Sequence, residues 1–108
     1  MGGPPAYSPM TKEVLTLLGK RVRLGRLERR WTVAELATRV GVSPVTIRKV
    51  ETGDPTVALG TALEAAVLVG MILFHPDRTR RAWESAHVNA LLALLPATVR
   101  PRRVDDDF

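Results

Sequence analysis

The sequence has 108 residues, which is room for one compact domain and little more. Its hydrophobic fraction of 45% and charged fraction of 25% are typical of globular proteins and argue against wholesale disorder. The chain has no cysteine and two distant histidines, so disulfides and thiolate metal sites are excluded and neither a metal site nor a cofactor is expected.

Charge is distributed unevenly along the chain, whose net charge is +5. Residues 12–49 contain ten basic and three acidic side chains, whereas residues 50–77 contain four acidic side chains and no lysine or arginine. Such a basic block beside an acidic one is typical of a protein that binds a polyanion, and charge alone is equally compatible with a solvated charged face. The longest apolar run, residues 65–74, is half of the ~20 residues that span a bilayer, and no secretory signal is recognisable. A cytoplasmic protein without membrane contact is therefore expected.

The first half of the chain is predicted to be helical after a flexible lead over residues 1–10. Val14, Leu15, Leu18, Val22 and Leu27 recur at three- and four-residue steps and predict a helix over residues 11–30. Thr32, followed three positions later by Glu35, is a capping box that begins a second helix. That helix is short because Gly41 supplies a sharp turn.

The third and fourth helices follow directly. Ser43 as N-cap and Pro44 at the first position predict the start of the third helix. This helix is expected to end at residues 53–55 (Gly-Asp-Pro). A fourth helix is predicted over residues 58–69. Its inward face is expected from the spacing of four apolar residues, namely Leu59, Leu63, Ala66 and Val67.

The last third of the chain contains a predicted strand, a helix and a tail. The apolar run of Met71, Ile72, Leu73 and Phe74 between glycine and proline predicts one short strand that pairs with its copy in a dimer, and a buried turn of the core is the alternative. A fifth helix follows over residues 78–95. We divide the chain into the lead, a DNA-binding domain (11–76), a C-terminal helix (77–96) and a tail (97–108), whose Asp105-Asp106-Asp107-Phe108 ending has no assigned role.

The second and third helices together predict a nucleic-acid-binding surface. Leu36, Ala37 and Val40 form an apolar stripe on the second helix, and Ile47 and Val50 form one on the third. Two helices joined by a short turn with glycine, the second with a basic outer face, fit the major groove of DNA. An ordinary helical hairpin is the alternative, but the cap, turn, spacing and charge all favour DNA binding.

This segment resembles the helix-turn-helix repressors of the Xre/Cro type over roughly residues 18–70. The shared features are the capped short helix, Leu36-Ala37, Gly41-Val42-Ser43, Ile47 and the Glu-x-Gly ending at residues 51–53. One departure is Val33, where the family often has glutamine, so the usual polar contact is not expected there. The resemblance further implies that Arg26 and Glu51 form a structural ion pair.

A narrower resemblance is to HipB-type antitoxins, in which a short strand after the fourth helix pairs across a dimer. It implies an autoregulatory operon and a HipA-like toxin kinase as partner. A stand-alone Xre-type regulator without a toxin, and an antitoxin that acts mainly by binding protein, remain alternatives.

The sequence therefore predicts an all-α protein: a five-helix, lambda-repressor-like helix-turn-helix domain with one short strand, an extended C-terminal helix and a tail. We expect a homodimeric repressor of a palindromic operator in double-stranded DNA. The candidates for base-edge contacts are Ser43, Pro44, Val45, Thr46, Arg48 and Lys49, and those for phosphate contacts are Thr32, Arg39 and Thr52. No catalytic residues are predicted, since each carboxylate has a helical explanation and no triad or phosphate loop occurs.

Overall fold

The structure, a computed structural model, describes residues 5–99 and residue 101. It contains five helices in this range: α1 (Pro9–Glu28), α2 (Val33–Val40), α3 (Pro44–Glu51), α4 (Leu59–Leu68) and α5 (Arg78–Leu92). The chain divides into two compact units, with α1 to α4 in residues 1–73 and α5 in residues 74–108. The predicted all-α fold with a helix-turn-helix is confirmed, while residues 105–108 of the predicted tail lie outside the described range.

The helix ends follow local chemistry. The α1 helix begins earlier than predicted because the Ser8 side chain accepts a hydrogen bond from the Thr11 backbone N–H and Pro9 occupies the first position. It ends at Glu28, two residues before the predicted end, since Arg30 takes a left-handed φ of 59°. The α5 helix begins as predicted behind Asp77, which caps the Thr79 N–H, but it ends at Leu92.

The core of the first unit is formed where α1 to α4 meet. Its buried apolar residues come from all four helices, and they are Val22, Leu36, Ala37, Ile47, Val50, Ala65, Ala66 and Val69. The predicted inward residues of α2 and α3 are thus buried or, in the case of Val40, half-buried. The predicted face of α4 is rotated, because Leu59 and Val67 are exposed and the adjacent Ala65 is buried instead.

The strand predicted over residues 71–74 is not formed in the described chain. Met71 and Leu73 are half-buried against the core, while Ile72 and Phe74 are exposed. Phe74 has φ of 64°, which is outside the β region. The reason is physical: a four-residue run forms a ladder only when another strand lies beside it. No helix among the described residues is both long and apolar enough to cross a membrane.

Candidate nucleic-acid interface

The N-terminus of α2 is fixed by a reciprocal capping box. The Thr32 hydroxyl accepts a hydrogen bond from the Glu35 N–H at 3.0 Å, and the Glu35 carboxylate accepts one from the Thr32 N–H at 2.9 Å. The backbone hydrogen bond from Thr32 is the main reason that the pKa of Glu35 lies below its ordinary value. Two of the free N–H groups at this helix end are therefore satisfied, and the path of the chain into α2 is set.

The turn between α2 and α3 depends on one glycine. Gly41 has φ of 86°, and its N–H donates to the Ala37 carbonyl at 2.8 Å. The next N–H, from Val42, donates to the same carbonyl at 3.0 Å. A Cβ at Gly41 would contact nothing within 4 Å, so this glycine is required for its left-handed backbone and not for space.

The α3 helix has one buried and one exposed face. Ile47 is fully buried and Val50 is nearly so. On the opposite face Val45, Arg48 and Lys49 are exposed. No acidic side chain forms an ion pair with Arg48 or Lys49 in the part of the chain that the structure describes. The α3 helix therefore presents Arg48, Lys49 and the apolar Val45 outward, while its opposite face is packed in the core.

The predicted base-edge residues all lie on α3 or at its N-cap. Ser43, Pro44, Val45, Arg48 and Lys49 are exposed, whereas Thr46 is half-buried. The two hydroxyls of Ser43 and Thr46 are hydrogen-bonded to each other at 3.0 Å. The structure thus brings the predicted recognition residues together on one short helix.

The predicted phosphate-contacting residues are more dispersed. Thr32 is exposed at the start of α2, and its hydroxyl is already used in the capping box. The Thr52 hydroxyl donates back toward the carbonyls of Arg48 and Lys49 at the end of α3. Arg39 lies in the last turn of α2 with its guanidinium carbon 4.1 Å from the centre of the Trp31 ring. Thr52 therefore adjoins the α3 residues, whereas Thr32 and Arg39 belong to α2.

A bidentate ion pair joins α1 to the end of α3. Arg26 donates from Nε to Glu51 Oε2 at 2.6 Å and from Nη2 to Oε1 at 3.0 Å. Its Nη1 donates to the Trp31 carbonyl at 2.9 Å. Both side chains are less than a tenth exposed, and the hydrogen bonds to Glu51 raise the pKa of Arg26. The pair is a scaffold element, because its polar atoms are used internally and do not face outward.

Two contributors to the site were not predicted from the sequence. At Gly19, in the middle of α1, an added Cβ would lie 2.4 Å from the Val50 carbonyl oxygen and 2.5 Å from that of Glu51. This glycine therefore lets α3 approach α1 closely, and a glycine inside a helical pattern was the signal for it. The second is Trp31, whose ring is contacted by the guanidinium groups of Arg39 and, at 5.8 Å, Arg29.

Comparison with protein families identifies the same segment as a helix-turn-helix. A family model described as a helix-turn-helix domain matches residues 17–71, about half of the chain, and this range contains most of α1 and all of α2 to α4. Neither the curated proteins nor the solved structures include a significant match to this sequence.

Proposed function

Because the chain belongs to the helix-turn-helix domain family, a family of DNA-binding regulators, we propose that it is a sequence-specific transcriptional repressor with α3 as its recognition helix. In this motif the second helix lies in the major groove and its side chains contact base edges. The observation that carries the proposal is the two-faced α3, with Ile47 buried and with Arg48 and Lys49 exposed and in no ion pair among the described residues.

The proposed mechanism is occlusion of a promoter by a dimer. Two copies of α3 enter successive major grooves of a palindrome, with half-sites one helical turn apart. In this proposal Arg48 and Lys49 contact base edges. Thr32, Arg39 and Thr52 contact phosphates of the DNA backbone. The protein would act in the cytoplasm and repress its own operon.

Residues 71–74 and α5 are the proposed dimer contacts. Ile72 and Phe74 are 67% and 90% exposed, respectively, so both side chains are accessible to a second copy. A second copy could supply the partner strand that the single chain lacks. The α5 helix has no buried residue, and Leu91 is 49% exposed, so this helix is an alternative contact surface.

A second candidate function is that of an antitoxin that holds a toxin protein. It is favoured by α5, in which residues 86–92 carry no Lys, Arg, Asp or Glu while Trp83, Leu91 and Leu92 are exposed. An exposed, uncharged stretch of this kind at the end of a helix is a candidate contact surface for a protein partner. By the HipB-type resemblance this partner would be a HipA-like kinase, and the alternative is a stand-alone regulator without a toxin.

Selection of bound duplexes from a randomised library tests the first proposal. We expect recovery of a palindromic sequence, with an affinity that falls steeply as salt rises because phosphate contacts release counterions. Failure to select any duplex would contradict the proposal. Co-purification from the native operon tests the second, since an antitoxin would bring its toxin with it and a stand-alone regulator would not.

A further inference from the structure

The exposed face of α3 is apolar in its N-terminal turn. Val45 and Lys49 are one helical turn apart, opposite the buried Ile47 and Val50. Val45 is 56% exposed and is the second residue of the proposed recognition helix. A valine there offers no hydrogen bond to a base, so its contribution to binding has to come from contact with carbon.

The first turn of α3 offers few hydrogen-bonding groups to an incoming base. Pro44 has no N–H. The hydroxyl groups of Ser43 and Thr46 are hydrogen-bonded to each other, and the Ser43 oxygen also accepts the Thr46 N–H at 3.3 Å. The shared hydrogen bond uses one of the two O–H donors of this turn. The other two side chains, those of Pro44 and Val45, form an apolar patch at the start of the helix.

The second turn has the opposite chemistry. Arg48 and Lys49 are exposed, and neither is in an ion pair among the described residues. Both are donors without acceptor capacity, which suits the O6 and N7 acceptors of guanine in the major groove. Thymine is the base that presents a methyl group in that groove, and apolar side chains are its usual contacts.

From this division of the helix we propose that Val45, supported by Pro44, is a specificity-determining residue that reads the C5-methyl group of a thymine in each half-site. The neighbouring guanine is then read by Arg48 or Lys49. The inference rests on the proposed DNA-binding function and adds to it the chemistry of the operator: a thymine methyl next to a guanine, with the methyl contacted by the N-terminal turn of α3.

Uracil substitution tests this inference because it removes the methyl group and leaves every hydrogen bond of the base pair intact. In a duplex selected by the full-length protein, each thymine of one half-site is replaced in turn by deoxyuridine, and affinity is measured by fluorescence anisotropy. Burial of one methyl group is worth about 0.8 kcal/mol, so deoxyuridine at one of these positions should weaken binding about fourfold. Val45→Ala should bind the unmodified duplex more weakly and lose this sensitivity to uracil.

Val67→Ala is the matched control, since Val67 has a similar exposed fraction of 53% and belongs to α4 and not to the proposed recognition helix. This variant should retain the wild-type response to uracil. The inference is overturned if no uracil position weakens binding, or if Val45→Ala remains as sensitive as the wild type. A failure of the proposed function looks different, because then no duplex would be selected at all.

Discussion

The guanidinium of Arg26 and the carboxylate of Glu51 face each other edge to edge, joined by two hydrogen bonds of 2.6 and 3.0 Å. Glu51 is the last residue of α3, and Arg26 lies in the last turn of α1. Because Arg26 also binds the Trp31 carbonyl, one side chain connects α1, the entry to α2 and the end of α3. This contact sets the angle at which α3 is presented.

Loss of one partner of this pair is expected to destabilise the fold. Glu51→Ala leaves a buried guanidinium without its carboxylate, which should lower the free energy of unfolding by about 3 kcal/mol. Urea denaturation measures the loss. Glu64→Ala, which removes an exposed carboxylate from α4, is the control and should change stability by less than about 0.5 kcal/mol. Equal effects of the two substitutions would contradict the structural role of the pair.

The close approach of α1 and α3 predicts that alanine substitutions at Gly19 and Gly60 differ in their effect on stability. Gly19→Ala places a Cβ 2.4 Å from the Val50 carbonyl oxygen, so α3 must shift and stability should fall by about 1–3 kcal/mol. Gly60→Ala on α4 meets nothing within 4 Å and should be neutral or stabilising by up to about 1 kcal/mol. Thermal unfolding of the two variants provides the measurement. A neutral Gly19→Ala variant would show that the helices are not in tight contact.

The capping box of α2 predicts a pH dependence at acidic pH. The pKa of Glu35 is lowered chiefly by its hydrogen bond with the Thr32 N–H, so the folded protein favours the charged carboxylate. The stabilisation is therefore present above the ordinary value of 4.5 and is lost as pH falls through the lower folded pKa. Glu35→Gln should be less stable than the wild type at pH 7, and this difference should shrink toward pH 3. A difference that stays constant between these pH values contradicts the role of the carboxylate charge.

If residues 71–74 pair with a second copy, one proline in this segment should disrupt the dimer. Ile72→Pro removes a backbone N–H and with it the proposed hydrogen bond to a second copy, so sedimentation should show monomer. Operator affinity should fall because the two half-sites are no longer bound together. Ile72→Val keeps the N–H and the branched side chain and should remain dimeric. If Ile72→Pro also remains dimeric, the interface lies elsewhere, and Leu91→Glu on α5 would then be expected to give monomer.

The helix-turn-helix was readable from sequence because its signals are local. A capping box at Thr32, a left-handed glycine at Gly41 and a Ser-Pro start at Ser43 each determine a helix end by contacts within a few residues. The burial of Ile47 and Val50 followed from helical spacing inside one short segment.

Other features could not be read because they depend on residues distant in sequence. Val14 and Leu27 follow helical spacing in α1 but are more than half exposed, since α3 and α4 cover a different side of that helix. Burial of Ala65 in place of its apolar neighbours likewise depends on where α2 and α1 pack. The strand predicted over residues 71–74 is not formed in the described single chain, because a strand requires a partner strand, which local sequence does not provide.

The most direct test of the account is the operator affinity of Arg48→Ala and Lys49→Ala, measured by fluorescence anisotropy alongside their Tm. Both side chains point away from the buried face of α3, so Tm should hardly change while each lost base contact costs about 1–3 kcal/mol of binding and relaxes discrimination at one position. Lys12→Ala removes the same charge from the start of α1 and should change affinity less. Wild-type affinity in both α3 variants would contradict the assignment of α3 as the recognition helix.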